Sequence, residues 1–398
     1  MTDRFPGPEA PAAVSALAEV RDRIDDTDRK LMRLLDQRIE LALRAGRLKG
    51  QIADPAREAK VLDKVRASAH GLLSAEFVTS LYGAIIEESR RVQLTRPRLA
   101  GFQGERGAWS EMACQSWDAD LVPAPCRSFA DVFDAVSGGS CDVGVVPVEN
   151  SLGGAIIEVS DLLIARDVFV VGEVVVPVRQ CLLALPGTRL RDIRSVYSHP
   201  QALVQCRAFL AAHELDAQPF YDTAGAARWL MFEGARTAGA IASPLAATLY
   251  GLEVVADSIA DEPANETRFL VISSAPRASG GNRCSIVLTT EDRAGALAEA
   301  LGVFSIHGIN LSRIESRPTR MRPGTYAFLI DFHGSQDAEG VVNALAALRS
   351  QCVSLKVLGF HEAAPTASPQ SASSAHCGIQ PDSLPPRDRR VREAHHIP

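Results

Sequence analysis

From Ala16 to Leu48 no proline interrupts the chain, and Ile24, Leu31, Leu34, Leu35 and Ile39 recur at helical spacing. This pattern predicts one long amphipathic helix, too long to bury its apolar stripe alone. A second helix is predicted to start at Asp54-Pro55-Ala56-Arg57-Glu58. Asp54 suits the N-cap, and Pro55 suits the first helical position, where its missing N–H is not needed. A third helix fits Ala75 to Thr95, and Pro97 closes an all-α unit over residues 12–97.

From Arg98 the texture changes. Short apolar runs at Leu99–Phe102, Val143–Val146, Val168–Val176, Cys181–Leu185, Ser195–Tyr197 and Ala238–Ala242 alternate with helical stretches. The alternation predicts an α/β domain over 98–276 with a largely parallel sheet. A linker is expected at Arg277–Asn282. Beyond it the pattern reads strand (Ser285–Thr290), helix (Ala294–His307), strands (Leu311–Arg317 and Tyr326–His333), helix (Ala338–Ser350) and strand (Ser354–Phe360). That βαββαβ order predicts an α+β ferredoxin-like sandwich over 283–362. Residues 363–398 are Ala/Ser/Pro-rich and then basic, with too little apolar content to fold, and are expected to form a disordered tail.

Composition narrows the classes. A chain of 398 residues exceeds one ordinary core, in keeping with several domains. A net charge of -6 argues against a general nucleic-acid binder, and anionic ligands would need local cationic pockets. No apolar run reaches the roughly 18 residues of a membrane span, and the first residues lack the apolar segment of a secretory signal. A cytoplasmic location with no membrane partner is the expectation. The eight cysteines include no pair two residues apart, so no metal site or redox pair is expected and structural thiols are.

Cations in the helical unit invite a geometric check. Arg38 and Lys49 share a helix face about 16 Å apart, a gap two long side chains nearly close around a small dianion. Arg21 lies about 25 Å before Arg38 on a different face, so a partner chain is needed to bring both to one ligand. Ser89 and Gln93, at i and i+4, sit side by side on the third helix. The set Arg21, Arg38, Lys49, Asp54, Arg57, Glu58, Ser89 and Gln93 resembles the all-helical chorismate mutases, whose fold is an intertwined dimer. The resemblance implies a pericyclic rearrangement of chorismate to prephenate. Such a step moves no proton, so catalysis lies in folding the substrate and stabilising charge on the breaking ether oxygen. The arginines would clamp carboxylates, Lys49 and Gln93 would face the ether oxygen, and Glu58 would accept the substrate hydroxyl. Gln93 can do so only if nothing else occupies its amide.

In the α/β unit, the glycines of Gly101-Phe102-Gln103-Gly104-Glu105-Arg106-Gly107 stand at every third position, which is not a dinucleotide-binding turn, and no phosphate-binding loop appears. No cofactor is expected, and a dehydrogenase partnered with the mutase is disfavoured. Polar clusters follow the strands, where α/β sheets hold ligands: Gly107–Ser110, Pro147-Val148-Glu149-Asn150-Ser151, Ser198-His199-Pro200-Gln201 and Thr267-Arg268-Phe269. In this order, over Leu99 to Ala275, they resemble prephenate dehydratases. The resemblance implies two lobes like type II periplasmic binding proteins, with a cleft between them where prephenate loses its ring hydroxyl and ring carboxylate together. Thr267 would donate to the departing hydroxyl. Ser110, Asn150, Ser151, His199 and Gln201 would orient the substrate, and Arg268 would anchor a carboxylate or brace the loop. Two departures stand out: Ala108 replaces a small hydroxyl residue and Glu105 a common proline.

The last unit is shared by RNA-binding and small-molecule domains, and the imperfect aromatic register of Gly324–Leu329 disfavours RNA. Gly295-Ala296-Leu297 and Glu315-Ser316-Arg317-Pro318 instead resemble a phenylalanine-binding ACT domain. That resemblance implies feedback by L-phenylalanine bound where two such domains pair, a second reason to expect a homodimer. The expectation is a bifunctional enzyme of phenylalanine biosynthesis; a non-catalytic amino-acid sensor is the alternative from another class.

Overall fold

The computed structural model describes residues 11–277, 280–318 and 326–364. The predicted tail beyond Ala364 lies outside them, as do Gly324, Thr325 and, in the predicted linker, Ala278 and Ser279. Helix α1 (Pro11–Lys49) is followed by α2 (Pro55–Ala67) and α3 (Ala75–Leu94). The predicted cap of α2 forms: Asp54 accepts the Arg57 backbone N–H at 3.0 Å, with Pro55 in the first turn. The second half of α1 packs on α3 around buried Leu43, whereas Leu17, Val20, Ile24, Leu31 and Leu34 stay about half exposed along one stripe. No described helix is long and apolar enough to cross a membrane.

The α/β unit runs β1 (Leu99–Gln103), α4 (Trp109–Trp117), β2 (Val122–Cys126), α5 (Phe129–Ser137), β3 (Val143–Asn150), β4 (Gly154–Ala155), α6 (Ile157–Ala165) and β5 (Phe169–Pro177). The chain then crosses into a second lobe: β6 (Cys181–Ala184), β7 (Ser195–Ser198), α7 (Pro200–Gln205), α8 (Arg207–Ala212), β8 (Asp216–Pro219), α9 (Thr223–Glu233), β9 (Ala238–Ala242), α10 (Pro244–Tyr250) and β10 (Glu253–Ala256). It returns through β11 (Glu266–Ser273) to the first sheet. The sheets are ordered β2-β1-β3-β11-β5, with β4 on β3, and β10-β6-β9-β7-β8. Both are mixed rather than largely parallel. β11, arriving from the other lobe, runs antiparallel to β3 and β5, and β6 runs antiparallel to β9. The crossings lie side by side, tied by Val178 N–H to the Asn265 carbonyl at 2.8 Å, which sets a cleft at the hinge.

The last unit is β12 (Arg283–Thr289), α11 (Ala296–Ile306), β13 (Leu311–Pro318), β14 (Tyr326–His333), α12 (Glu339–Gln351) and β15 (Ser354–His361), in the predicted βαββαβ order. Its sheet, β13-β14-β12-β15, buries Ile286, Leu288, Phe328 and Ile330 under its own helices. From the other face Val287, Leu329 and Leu358 join the core of the α/β unit at Val146, Val170 and Leu270. Strand alternation makes one sheet serve two cores.

Candidate active sites

The helical unit holds a cavity of about 550 Å³ lined by Arg38, Lys49, Asp54, Arg57, Glu58, Ser89 and Gln93. Seven of the eight predicted residues therefore meet; Arg21 stands exposed, outside the cavity lining, on the uncovered part of α1. The buried Ser89 hydroxyl accepts from Arg38 at 2.8 Å and donates to the Ile85 carbonyl at 2.7 Å, so it steers the guanidinium. Lys49 is paired with Asp54. Hydrogen bonds from the Lys49 ammonium and then the Arg57 backbone hold the Asp54 carboxyl below the usual range. Gln93 meets its condition by half: one amide N–H is committed to the Ala42 carbonyl at 2.5 Å and one remains. Both oxygens of Glu58 accept from the Arg90 guanidinium. Sequence reasoning missed Arg90, whose signal is its position directly after Ser89 on the same helix.

The cleft between the two lobes encloses about 320 Å³, within the range of small-molecule sites. Its wall includes Ser110, Asn150, His199, Gln201 and Thr267. Asn150 organises it: its Nδ2 donates to Thr267 Oγ1 at 3.0 Å and Asn265 Oδ1 at 2.7 Å, while its Oδ1 accepts Leu152 and Gly153 N–H groups. Thr267 thus accepts one bond, which leaves its own hydroxyl proton for a ligand. His199 caps α7, its Nδ1 accepting the Gln201 N–H at 3.3 Å. The loop before α4 is clamped by the second lobe. Ser243 donates to the Gly107 carbonyl at 2.6 Å, Tyr250 donates to the Arg106 carbonyl at 2.7 Å, and a Cβ at Gly107 (φ +88°) would meet Ala246 Cα at 2.9 Å.

Two predicted residues fall outside this cavity. Ser151 closes the neighbouring turn, exchanging bonds with Glu266 and donating to the Ala264 carbonyl at 3.3 Å. Arg268 follows Thr267 on β11, so its side chain leaves by the opposite face of the sheet. There its guanidinium donates to Glu173 and to Asp331 of the last unit, each at 2.7 Å, and it braces rather than anchors substrate. Ala108 occupies the N-cap of α4 with no side-chain bond, and its N–H is spent on the Glu105 carbonyl at 3.1 Å. Glu105 accepts from the Tyr221 hydroxyl at 2.8 Å and faces Arg228 at 3.3 Å. Burial, then the Glu105 bond, pushes the Tyr221 hydroxyl up to about 12. Gln103, Gln180, Asp222 and Asn265 line the cleft but were not predicted. Asn265, two residues before Thr267 and hence on its face, was legible by alternation.

In the last unit Gly295 (φ +87°) caps α11 in a backbone conformation that favours glycine. Ala296 is buried and Leu297 packs on the domain's core. The second predicted stretch divides. Glu315 accepts from Ser160 at 2.9 Å and Arg317 donates to Asp161 at 2.8 Å, both on α6, whereas Ser316 and Pro318 are exposed. Alternate residues of one strand therefore serve the contact with α6 and an outer face.

Comparison with known proteins matches residues 20–94 to the chorismate mutase type II model, 100–277 to prephenate dehydratase and 285–350 to the ACT domain. The chain is 34% identical to the bifunctional chorismate mutase/prephenate dehydratase of Aquifex aeolicus, over 87% of this chain and 97% of that one. It is 42% identical to arogenate dehydratase/prephenate dehydratase 2 of Arabidopsis thaliana, over 67% of this chain and 73% of that one. Among solved structures, the prephenate dehydratase of Arthrobacter aurescens in complex with L-Phe superimposes with a TM-score of 0.62 at 33% identity, covering 68% and 93% of the two chains.

Proposed function

The chain belongs to the bifunctional chorismate mutase/prephenate dehydratase family, and on that footing we propose how its residues divide the work. The enzyme rearranges chorismate to prephenate, then dehydrates and decarboxylates prephenate to phenylpyruvate, with phenylalanine as feedback inhibitor. The observation that carries the assignment of roles is the pair of separate polar cavities, each lined by its own family motif.

In the helical cavity, Arg38, steered by Ser89, and Arg57 clamp the carboxylates, while Lys49 and the free N–H of Gln93 face the breaking ether oxygen. Arg90 orients Glu58 toward the substrate hydroxyl. The half-exposed stripe of Leu17, Val20, Ile24, Leu31 and Leu34 repeats at coiled-coil spacing and carries Arg21 beside it. A second copy of the chain covers that stripe and brings Arg21 to the partner's cavity, which makes the enzyme a homodimer. Among the described residues the cysteines are free and all but Cys352 are buried, which suits the cytoplasm.

In the cleft, Thr267 donates to the departing hydroxyl, supported by the Asn150 amide, which donates to the Thr267 oxygen. Ser110, His199 and Gln201 orient the ring, and loss of the ring carboxylate as carbon dioxide supplies the electron pair that completes the aromatic ring. In the ACT domain, Gly295 and the exposed Ser316 contact phenylalanine, and Glu315 and Arg317 carry its binding to α6.

The test supplies chorismate alone, without NAD, and follows phenylpyruvate. Arg38→Ala is expected to lower mutase turnover at least about a hundredfold and spare dehydration of added prephenate; Thr267→Val is expected to do the reverse. Equal loss of both activities in either variant refutes separate sites.

A further inference from the structure

The wall of the dehydratase cleft holds a hydrogen-bond donor that folding leaves unused. Asn265 lines the cavity and is only 3% exposed. Its Oδ1 is occupied, accepting from Asn150 Nδ2 at 2.7 Å and from the Ser151 hydroxyl at 3.4 Å. Its Nδ2 is buried and has no acceptor among the described residues. Turning the amide over would aim its N–H at the Asn150 N–H, donor against donor, so the orientation is fixed. A buried N–H without a partner costs free energy that nothing in the fold returns, and a ligand can supply the acceptor. Gln180, on the other crossing between the lobes, offers the opposite: its Nε2 donates to Gln205 Oε1 at 3.1 Å, and its buried Oε1 has no donor. An acceptor repels a carboxylate, so of the two only Asn265 suits an anion.

The charge of the cleft makes that donor useful. Prephenate carries two carboxylates, yet among the described residues the cavity wall contains no Lys or Arg, and Arg268 leaves through the sheet to Glu173 and Asp331. Neutral N–H groups must hold the substrate's charge. Asn265 stands two residues before Thr267 on the same face, about 7 Å along the chain. Asn150 Nδ2 donates to both, so one amide sets the two side chains in register. With Thr267 at the departing hydroxyl, Asn265 reaches the para end of the ring, where the ring carboxylate and the pyruvyl side chain are attached. The ring carboxylate leaves as carbon dioxide and has to give up its charge, so a donor fixed on it would favour the ground state over the transition state. The side-chain carboxylate keeps its charge throughout and can be held at no cost to the reaction.

We infer that Asn265 is a further substrate-binding residue, whose Nδ2 donates to the side-chain carboxylate of prephenate and thereby sets the ring hydroxyl against Thr267. The inference rests on the dehydratase reading of this cleft. The contact is the same before and during the reaction, so it belongs to binding and its loss should appear in KM rather than in kcat.

The test uses the full chain. Asn265→Asp keeps an oxygen for Asn150 and replaces the N–H donor by a second acceptor; Asn265→Ala removes both. With prephenate at about pH 8, KM is expected to rise about ten- to hundredfold in Asn265→Asp and about tenfold in Asn265→Ala, with kcat within about threefold of wild type. Phenylpyruvate has lost the ring carboxylate and keeps the side-chain one, so it reports which of the two is held; its Kd by calorimetry should rise by a similar factor. As pH falls toward about 5, the carboxyl introduced by Asn265→Asp takes a proton and becomes a donor. The deficit of that variant in Kd against wild type should then shrink, and that of Asn265→Ala should not. His199 and Asp222, the ionisable groups of the wall, are common to all three proteins and cancel in the comparison. KM and Kd are insensitive to the fraction of folded enzyme. Unchanged KM and Kd overturn the assignment, as does a raised KM with unchanged phenylpyruvate affinity, which would put the donor on the ring carboxylate. A deficit in Asn265→Asp that does not respond to pH would make Asn265 a structural part of the wall. A wild type that leaves prephenate unconverted removes the dehydratase reading itself, and the inference with it.

Discussion

Replacing Arg268 with alanine is expected to loosen the seam between the dehydratase sheet and the ACT domain while leaving the cleft's chemistry formed. The guanidinium bridges Glu173 and Asp331, both buried, at 2.7 Å each. Burial alone would raise both carboxyls. Instead the His361 and Arg268 hydrogen bonds hold Glu173 well below the usual range, and the charges of Arg268 and Arg313 hold Asp331 below it. Breaking a buried ion pair from one side strands the other charge, at about 3–5 kcal/mol. Partners that survive pull this case toward the lower end: Glu173 keeps Arg283 at 2.7 and 2.8 Å, and Asp331 keeps the Ser285 hydroxyl at 2.6 Å. The expected loss is about 3 kcal/mol, roughly a hundredfold in local opening. A multidomain chain need not unfold in one step, so hydrogen exchange at the β11 and β14 amides is a better assay than a melting temperature. Arg268→Lys keeps the charge without the fork and should lose about half as much. A loss under about 1 kcal/mol refutes the bracing role. Unaltered exchange with the KM for prephenate raised tenfold or more would put the guanidinium on substrate instead.

Two further expectations rest on neighbouring features. Ala108→Ser places a hydroxyl at the uncapped N-terminus of α4, and should stabilise the first lobe by about 1 kcal/mol, read by exchange of the α4 amides; no gain would mean that the backbone there cannot use a cap. The second concerns acid. Glu173 and Asp331 titrate lower in the folded chain than in the unfolded one, so the stability they contribute is complete above the ordinary carboxylate range and is lost as pH falls through their depressed folded values. The seam should hold at about pH 5 and release in more strongly acidic solution, below about pH 4. Small-angle scattering against pH would show the release, and an expansion already complete at pH 5 would contradict the charge network.

Much of this enzyme is legible in one dimension because its signals are local. The Asp54-Pro55 start of α2, the period of α1 and the βαββαβ order depend on residues a few positions apart, where backbone sterics and face periodicity decide. Alternation also says that Thr267 and Arg268 point to opposite faces. It does not say which face is the cleft, since that depends on which domain packs behind β11, and the arginine consequently lies at the ACT seam. The same limit splits Glu315 from Ser316 on β13. Charges expose it most clearly. Glu58 is held by Arg90, 32 residues away, and Asp222 stands beside Gly104 of the other lobe. What a carboxylate does is set by the cations and the solvent that folding leaves around it, and those neighbours are chosen by tertiary packing, not by spacing along the chain.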